Sequence, residues 1–194
     1  MPPPIRRIVV PIDAIQTKLS DLRPILLMAR RLGAGVTLLH CYVAPPSFDF
    51  AGGGRAVAEL KAHRWRVRSR LYEFTGEVRK IFPKCNCRFV SGSPATQILR
   101  QSQRLFADLI AVPLPLDLVR WCWLPEELLD ELIRRADCPV LCVPASRGSW
   151  TLMSRIERQR PVPGMNAAIR ALASEAPLHH PLLSKTLELT KLEL

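Results

Sequence analysis

The chain has 194 residues, of which 48% are hydrophobic and 23% charged, values typical of one globular domain with an appendage. It contains no run of about 18 apolar residues and no charged leader followed by an apolar stretch. The sequence therefore predicts neither a membrane span nor a secretory signal, and we expect a cytoplasmic protein. The net charge of +11 is concentrated in residues 55–90, which hold ten lysines and arginines against three acidic residues.

Short β-branched runs alternate with helical patterns along the first three-quarters of the chain. Buried strands are predicted at 8–12, 36–43, 87–90, 109–113 and 138–144. Helices are predicted between them, from an N-cap at Ser20 to Gly33, over 55–82, from Pro94 to Phe106 and from Glu126 to Ala136. This alternation predicts an α/β fold with a doubly wound, five-stranded parallel sheet. Ligands of such sheets bind beyond the carboxyl ends of the strands, which here means after Ile12, Val43 and Val112.

The last quarter of the chain does not continue this pattern. Prolines interrupt it at positions 161, 163, 177 and 181, and leucines recur towards its end. We therefore predict a domain formed by residues 1–145 and a C-terminal helical or irregular extension formed by residues 146–194.

The cysteines do not follow the spacing of a metal site. Cys41, Cys138 and Cys142 stand in apolar runs and are interpreted as small buried hydrophobic residues. Cys85 and Cys87 flank a single residue and would be able to bind a metal or react, but no histidine stands at a zinc-site spacing from them. The sequence therefore predicts no metal.

Five segments of the chain resemble the universal stress protein family, in order and in spacing. They are IVVPID, LLHCYV, VSGSPATQIL, ADLIAVP and ADCPVLCVP, and together they extend over residues 5–144. The resemblance implies a sheet of order 3-2-1-4-5, of the adenine-nucleotide α-hydrolase-like type. It also implies homodimers that pair through the last strand, which would place Val140, Leu141, Cys142 and Val143 in the dimer interface. The family further divides into a branch that binds ATP and one that does not.

The loop after the fourth strand distinguishes the two branches. In the ATP-binding branch this loop carries three glycines and a serine or threonine, whose backbone N–H groups approach the phosphates at a helix N-terminus. The corresponding positions here hold Pro113, Leu116, Glu126 and Glu127. Proline lacks an N–H, leucine adds a side chain, and the two glutamates place negative charge where the phosphates would lie. The resemblance is thus to the branch without a working ATP site, and we expect no cofactor.

Other positions of the family's nucleotide site are Pro11, Asp13 and Val43, at the ends of the first two strands. Asp13 stands where the family's first-strand acid contacts the nucleoside, but an acid at the end of a strand also caps the loop that follows. Binding of ATP or AMP through a divergent loop therefore remains an alternative hypothesis.

The basic segment 55–90 also allows two interpretations. Arg64, Arg66, Arg68 and Arg70 follow one another in steps of two, which spreads them around a helix. This favours a solvated amphipathic helix whose inward residues are Leu60, Val67, Leu71, Phe74 and Val78. The alternative is a surface that binds nucleic acid or another anionic partner, since a local excess of charge attracts anions.

No arrangement of nucleophile, base and acid is visible in the sequence, so we expect no enzyme. The favoured hypothesis is a non-catalytic regulatory or interaction protein of the stress response. The resemblance implies that it is a homodimer, and we expect a protein partner that the sequence does not identify. Trp121 and Trp123 are interpreted as a cover over the vacated nucleotide cleft or as part of such a partner surface.

Overall fold

The computed structural model describes residues 4–45, 53–114, 126–144 and 151–153 of the chain. Leu116, Trp121 and Trp123 lie outside these residues, as does nearly all of the extension.

One sheet organises the described residues. Its strands are β1 Arg7–Pro11, β2 Gly35–Tyr42, β3 Cys85–Ser91, β4 Leu109–Leu114, β5 Val140–Pro144 and β6 Thr151–Met153. The helices are α1 Leu19–Leu32, α2 Gly53–Ile81, α3 Pro94–Arg104 and α4 Glu126–Arg135. The strand order is β3-β2-β1-β4-β5-β6. The first five strands are parallel, which confirms the predicted fold and the predicted order 3-2-1-4-5.

Two hydrophobic cores lie on opposite faces of the sheet, because alternate strand residues point to opposite sides. One core packs α1 and α2 against residues such as Ile8, Val10 and Leu38. The other packs α3 and α4 against residues such as Ile110 and Val140. Strands β1, β4 and β5 are apolar on both faces, as expected for a parallel sheet covered by helices, whereas β3 alternates and exposes Asn86 and Arg88.

The predicted inward face of α2 is confirmed in its C-terminal half. Val67, Leu71, Phe74 and Val78 are 0–4% exposed and belong to the first core, with Leu60 half-buried against it. Among the described residues, no helix is long and apolar enough to cross a membrane.

The N-terminus of α1 differs from the sequence prediction, whereas its C-terminus agrees with it. Helix α1 is capped by Lys18 and not by Ser20, because the Asp21 carboxylate reaches back and accepts the Lys18 N–H at 2.9 Å. At the predicted end of the helix Gly33 has φ +67°, a left-handed conformation that glycine adopts without the steric cost of a Cβ.

The sixth strand was not predicted. β6 lies within the region expected to be helical or irregular and pairs antiparallel with β5, with Leu152 opposite Leu141. The backbone of β5 is therefore hydrogen-bonded on both sides, to β4 and to β6.

Candidate functional site

A cleft of about 360 Å³ opens at the carboxyl ends of β1 and β2, between α2 and α3. This is the edge at which doubly wound sheets bind ligands, because the crossover helices diverge where the strand order reverses. Its lining consists of Pro11, Ile12, Asp13, Ile15, Leu39, His40, Cys41, Tyr42, Val43, His63, Val67, Pro94 and Ile98. Within the described lining there is one carboxylate and two imidazoles, and no lysine or arginine.

Asp13 organises the turn that follows β1. Its Oδ1 accepts the backbone N–H of Ile15 at 2.7 Å and that of Gln16 at 3.3 Å. The Asp13 backbone takes part as well, since its N–H donates to Thr17 Oγ1 at 3.1 Å and its carbonyl accepts the Thr17 N–H at 2.9 Å. The carboxylate thus makes the loop cap that the sequence offered as the alternative to a nucleoside contact.

His40 links the same turn to β2. Its Nδ1 lies 3.1 Å from the Ile12 carbonyl oxygen and 3.2 Å from the Ala14 nitrogen. Nδ1 therefore donates to Ile12 or accepts from Ala14, according to the tautomer. Burial lowers the pKa of His40, against the opposing effects of the Ile12 hydrogen bond and the Asp13 charge, and this favours a neutral ring. His40 is therefore a buried, hydrogen-bonded residue, 8% exposed.

Tyr42 and His63 form the wall of the cleft that faces α2. The Tyr42 hydroxyl lies 3.0 Å from His63 Nδ1, and the two rings are 5.7 Å apart at their centroids. The Phe89 ring of β3 lies behind Tyr42 at 5.7 Å and also contacts His40 at 5.6 Å. The polar groups of this wall are therefore already bound to one another.

Cys41 is the thiol of the cleft. Burial raises its pKa to about 12, so the sulfur is protonated at neutral pH. Burial also raises the pKa of Cys85 to about 12 and those of Cys138 and Cys142 to about 11. No group of three or more potential metal ligands occurs among the residues that the structure describes.

The predicted nucleotide positions separate into two groups. Pro11, Asp13 and Val43 come together in the lining of the cleft. Pro113 lies in β4 and pairs with Val143, while Glu126 and Glu127 begin α4. Leu116 falls in the part of the chain for which no placement is described.

The residues predicted to form a dimer interface lie in β5. Val140, Leu141, Cys142 and Val143 are at most 1% exposed, and three of them are register partners of β6. The dimer itself stays a prediction, but the outer edge of β5 is already paired within the chain.

Tyr42 and His63 were not predicted as site residues. The two residues stand 21 positions apart, on a strand and on a helix. They meet because α2 crosses the carboxyl end of β2, and neither residue carries a motif that would have marked it. A tyrosine at the end of a buried strand was the one available signal.

Comparison with known proteins agrees with the fold. Residues 4–144 match the family model described as the universal stress protein family. No curated protein matches the chain.

Several solved structures are similar to the chain. Universal stress protein UspA from Lactobacillus plantarum is 18% identical, covers 73% of this chain and 99% of its own, and has a TM-score of 0.52. A universal stress protein family protein from Arabidopsis thaliana, solved with AMP bound, is 17% identical over 72% of this chain and 91% of its own, with a TM-score of 0.44. A universal stress protein in complex with cAMP is 17% identical over 74% of this chain and 100% of its own, also with a TM-score of 0.44. The first of these likenesses supports a shared fold.

Proposed function

Because the chain belongs to the universal stress protein family, we propose that it is a non-catalytic regulatory protein of the stress response that does not bind ATP. Its proposed setting is the cytoplasm, and its proposed mode of action is contact with another protein. The observation that carries this proposal is the chemistry at the carboxyl edge of the sheet, where anion-binding groups are replaced.

The positions that hold the phosphates in the ATP-binding branch of the family support the proposal most directly. Pro113 occupies the end of β4 and has no N–H to donate to a phosphate. Glu126 and Glu127 stand in the first turn of α4, where the helix dipole favours acidic side chains by about 0.3–1 kcal/mol. A triphosphate brought to this turn would meet like charges, each repelling it by roughly 1–4 kcal/mol at ~4 Å.

The cleft itself supports the same conclusion. Asp13 is engaged by two backbone N–H groups, Tyr42 by His63, and His40 by the backbone of the β1–α1 turn. A ligand would have to replace these hydrogen bonds with its own. The protonated Cys41 thiol is also a poor nucleophile, which fits a binding role better than a catalytic one.

A second candidate function is the binding of a nucleoside or nucleoside monophosphate without ordered phosphates. The observation that favours it is the cleft, whose volume of about 360 Å³ lies within the range of small-ligand sites, ~300–1,000 Å³. An apolar floor with a few polar groups suits a planar base better than a polyanion.

A homodimer belongs to the proposal as well, on the strength of family membership. Pairing through the edge formed by Val140–Val143 would require β6 to leave that edge or to pair with the other copy, because β6 lies there in this chain. The two arrangements predict different effects of removing the extension.

Calorimetric titration with ATP, AMP and adenosine tests the proposal, together with mass spectrometry of small molecules released by denaturation. We expect no heat with ATP and no carried nucleotide. Heat with adenosine or AMP alone would favour the second function, and bound ATP would refute the interpretation of Pro113, Glu126 and Glu127.

A matched pair of variants locates any binding that is found. Val43→Trp adds bulk at the mouth of the cleft, at a side chain that is 58% exposed. Val57→Trp adds the same bulk on α2 outside the cleft, at a side chain that is 42% exposed. Binding in the cleft is lost in the first variant and kept in the second.

A further inference from the structure

The charges of α2 are sorted onto two flanks. At 3.6 residues per turn, its three acids, Glu59, Glu73 and Glu77, fall with Arg55 and Arg70 within an arc of about 60°. These residues pair with each other: Arg55 Nε lies 3.2 Å from Glu59 Oε1, and Arg70 Nη1 lies 3.7 Å from Glu73 and 4.0 Å from Glu77. One side of the helix is therefore largely neutralised.

The other side, which we call the basic–aromatic flank, consists of Lys61, Arg64, Trp65, Arg68 and Tyr72. These five residues fall within an arc of about 100°, and no acid of α2 shares it. Trp65 is 67% exposed and Tyr72 is 49% exposed. The three cations form no ion pair with any residue in the described part of the chain.

The steps of two in the sequence hid this separation. Arg66 and Arg70 turn to the neutralised side, while Arg64 and Arg68 turn to the basic–aromatic flank. One cation and one aromatic ring of the flank are in contact: the Arg68 guanidinium carbon lies 5.5 Å from the Tyr72 ring centroid, and Arg68 donates to the Tyr72 hydroxyl at 3.1 and 3.2 Å.

The basic–aromatic flank lies next to β3 at the edge of the sheet. Arg64 lies with its guanidinium carbon 5.8 Å from the ring centroid of Phe89 in β3. Arg79, on the same side of the helix, donates to the Cys85 carbonyl at 2.7 Å and to Asn86 Oδ1 at 2.9 Å. β3 is the outermost strand of the described sheet at this end, and all five side chains of the flank are exposed there.

We propose that the basic–aromatic flank of α2 binds single-stranded nucleic acid. Lys61, Arg64 and Arg68 contact phosphates, and unpaired bases stack on Trp65 and Tyr72, which stand ~10 Å apart along the helix axis. Exposed rings beside exposed cations are the features by which proteins hold single strands without sequence preference.

Other anionic partners fit these observations less well. An amphipathic helix binds a membrane by burying its apolar face in the lipid, but the continuous apolar face of α2, formed by Val67, Leu71, Phe74 and Val78, is committed to the protein core. A duplex matches the positive charge, but its stacked bases offer no free face to Trp65 or Tyr72.

Fluorescence anisotropy of the full chain with labelled 15-nucleotide oligouridylate and oligothymidylate, at 50 and 200 mM salt, tests the proposal. We expect the affinity for a single strand to fall as the salt concentration rises. The magnitude of the slope of log K against log salt concentration should decrease by about 0.7 for each contacting cation that is removed. A duplex of the same length should bind more weakly.

Charge-matched variants distinguish binding at the basic–aromatic flank from a general attraction by the net positive charge of the chain. Lys61→Glu/Arg68→Glu alters the basic–aromatic flank, while Arg55→Glu/Arg66→Glu makes the same change in charge on the opposite side, and all four positions are exposed. We expect the first double variant to lose ~10-fold or more in affinity and the second to lose far less. Trp65→Ala should weaken binding roughly 10-fold through lost stacking.

Circular dichroism and thermal melting establish that each variant is folded. Three outcomes would overturn the proposal: no binding of either oligonucleotide at 50 mM salt, equal loss in the two double variants, or a Trp65→Ala variant that binds like the parent chain. Equal or tighter binding to the duplex, or to vesicles containing phosphatidylserine, would also overturn it. None of these outcomes bears on nucleotide binding in the cleft.

Discussion

Replacing Asp13 with alanine separates a structural role of this residue from a role in ligand binding. The substitution removes the acceptor for the Ile15 N–H at 2.7 Å and for the Gln16 N–H at 3.3 Å. The first is a short, charge-assisted bond and the second is weak, so together they should stabilise the fold about as much as one side-chain cap of a helix. Loss of such a cap costs about 0.5–2 kcal/mol.

We therefore expect Asp13→Ala to lower the free energy of unfolding by about 1–2 kcal/mol. For a domain of this size, 1 kcal/mol corresponds to a change in Tm of roughly 2–4 °C. The matched variant is Asp13→Asn, which keeps an oxygen acceptor and should stay within about 0.5 kcal/mol of the parent. Urea denaturation followed by circular dichroism measures both, with unchanged m-values expected.

Two results would refute this reasoning. If Asp13→Ala is as stable as the parent, the hydrogen bonds to Ile15 and Gln16 contribute nothing, and ligand binding becomes the better explanation of the carboxylate. If Asp13→Asn is destabilised as much as Asp13→Ala, the negative charge matters and not the acceptor.

Three further predictions follow from the site and the sheet. Because burial lowers the pKa of His40, the unfolded chain binds a proton at His40 that the folded chain does not. The free energy of unfolding should therefore fall as the pH decreases below about 6.5. Between pH 8 and 5.5 the urea midpoint of His40→Gln should decrease less than that of the parent chain. Removing residues 146–194 takes β6 from the edge of β5, and light scattering should then show a larger dimer fraction if two β5 edges pair directly. A smaller fraction would indicate that β6 pairs with the other copy, and an unchanged fraction would contradict pairing at this edge. The Cys41 and Cys85 thiols, with pKa values of about 12, should react with a thiol reagent at pH 8 only upon unfolding, as peptide mapping would show. Fast labelling of Cys41 in the folded chain would show that the cleft opens.

Much of the fold could be predicted from local sequence. The runs Ile8–Ile12 and Leu109–Pro113 are apolar on both faces, which is typical of parallel strands covered by helices, and both became strands of the sheet. Their alternation with helices then left few topologies, and the family resemblance identified the order that the structure has.

The missed features depend on contacts between distant residues. β6 is three residues long, and Thr151–Met153 become a strand only because the edge of β5 offers hydrogen-bonding partners. The cap of α1 was assigned to Ser20 on residue type, but the Asp21 carboxylate stabilises Lys18 in that place.

The candidate site could be predicted only in part, because some of its contacts also join distant residues. Pro11, Asp13 and Val43 follow strands, so their meeting in the cleft could be predicted from topology alone. The pairing of Tyr42 with His63 depends on the path of α2 across the sheet, and the two flanks of α2 depend on helical phase and ion-pair geometry.

The length of α2 has a mechanical consequence. Its 29 residues extend ~43 Å, whereas the eight residues of β2 extend ~26 Å, so the helix is longer than the sheet it covers. Its buried side chains begin at Val67, and none occurs between residues 54 and 66. The first half of α2 is thus an arm without fully buried side chains, held to the domain by partly buried contacts such as those of Leu60, His63 and Arg64. The rate of amide hydrogen exchange should accordingly differ along this single helix, being fast in the arm and slow from Val67 onwards. A partner that binds Lys61 and Tyr72 together would lower the exchange rate of the arm.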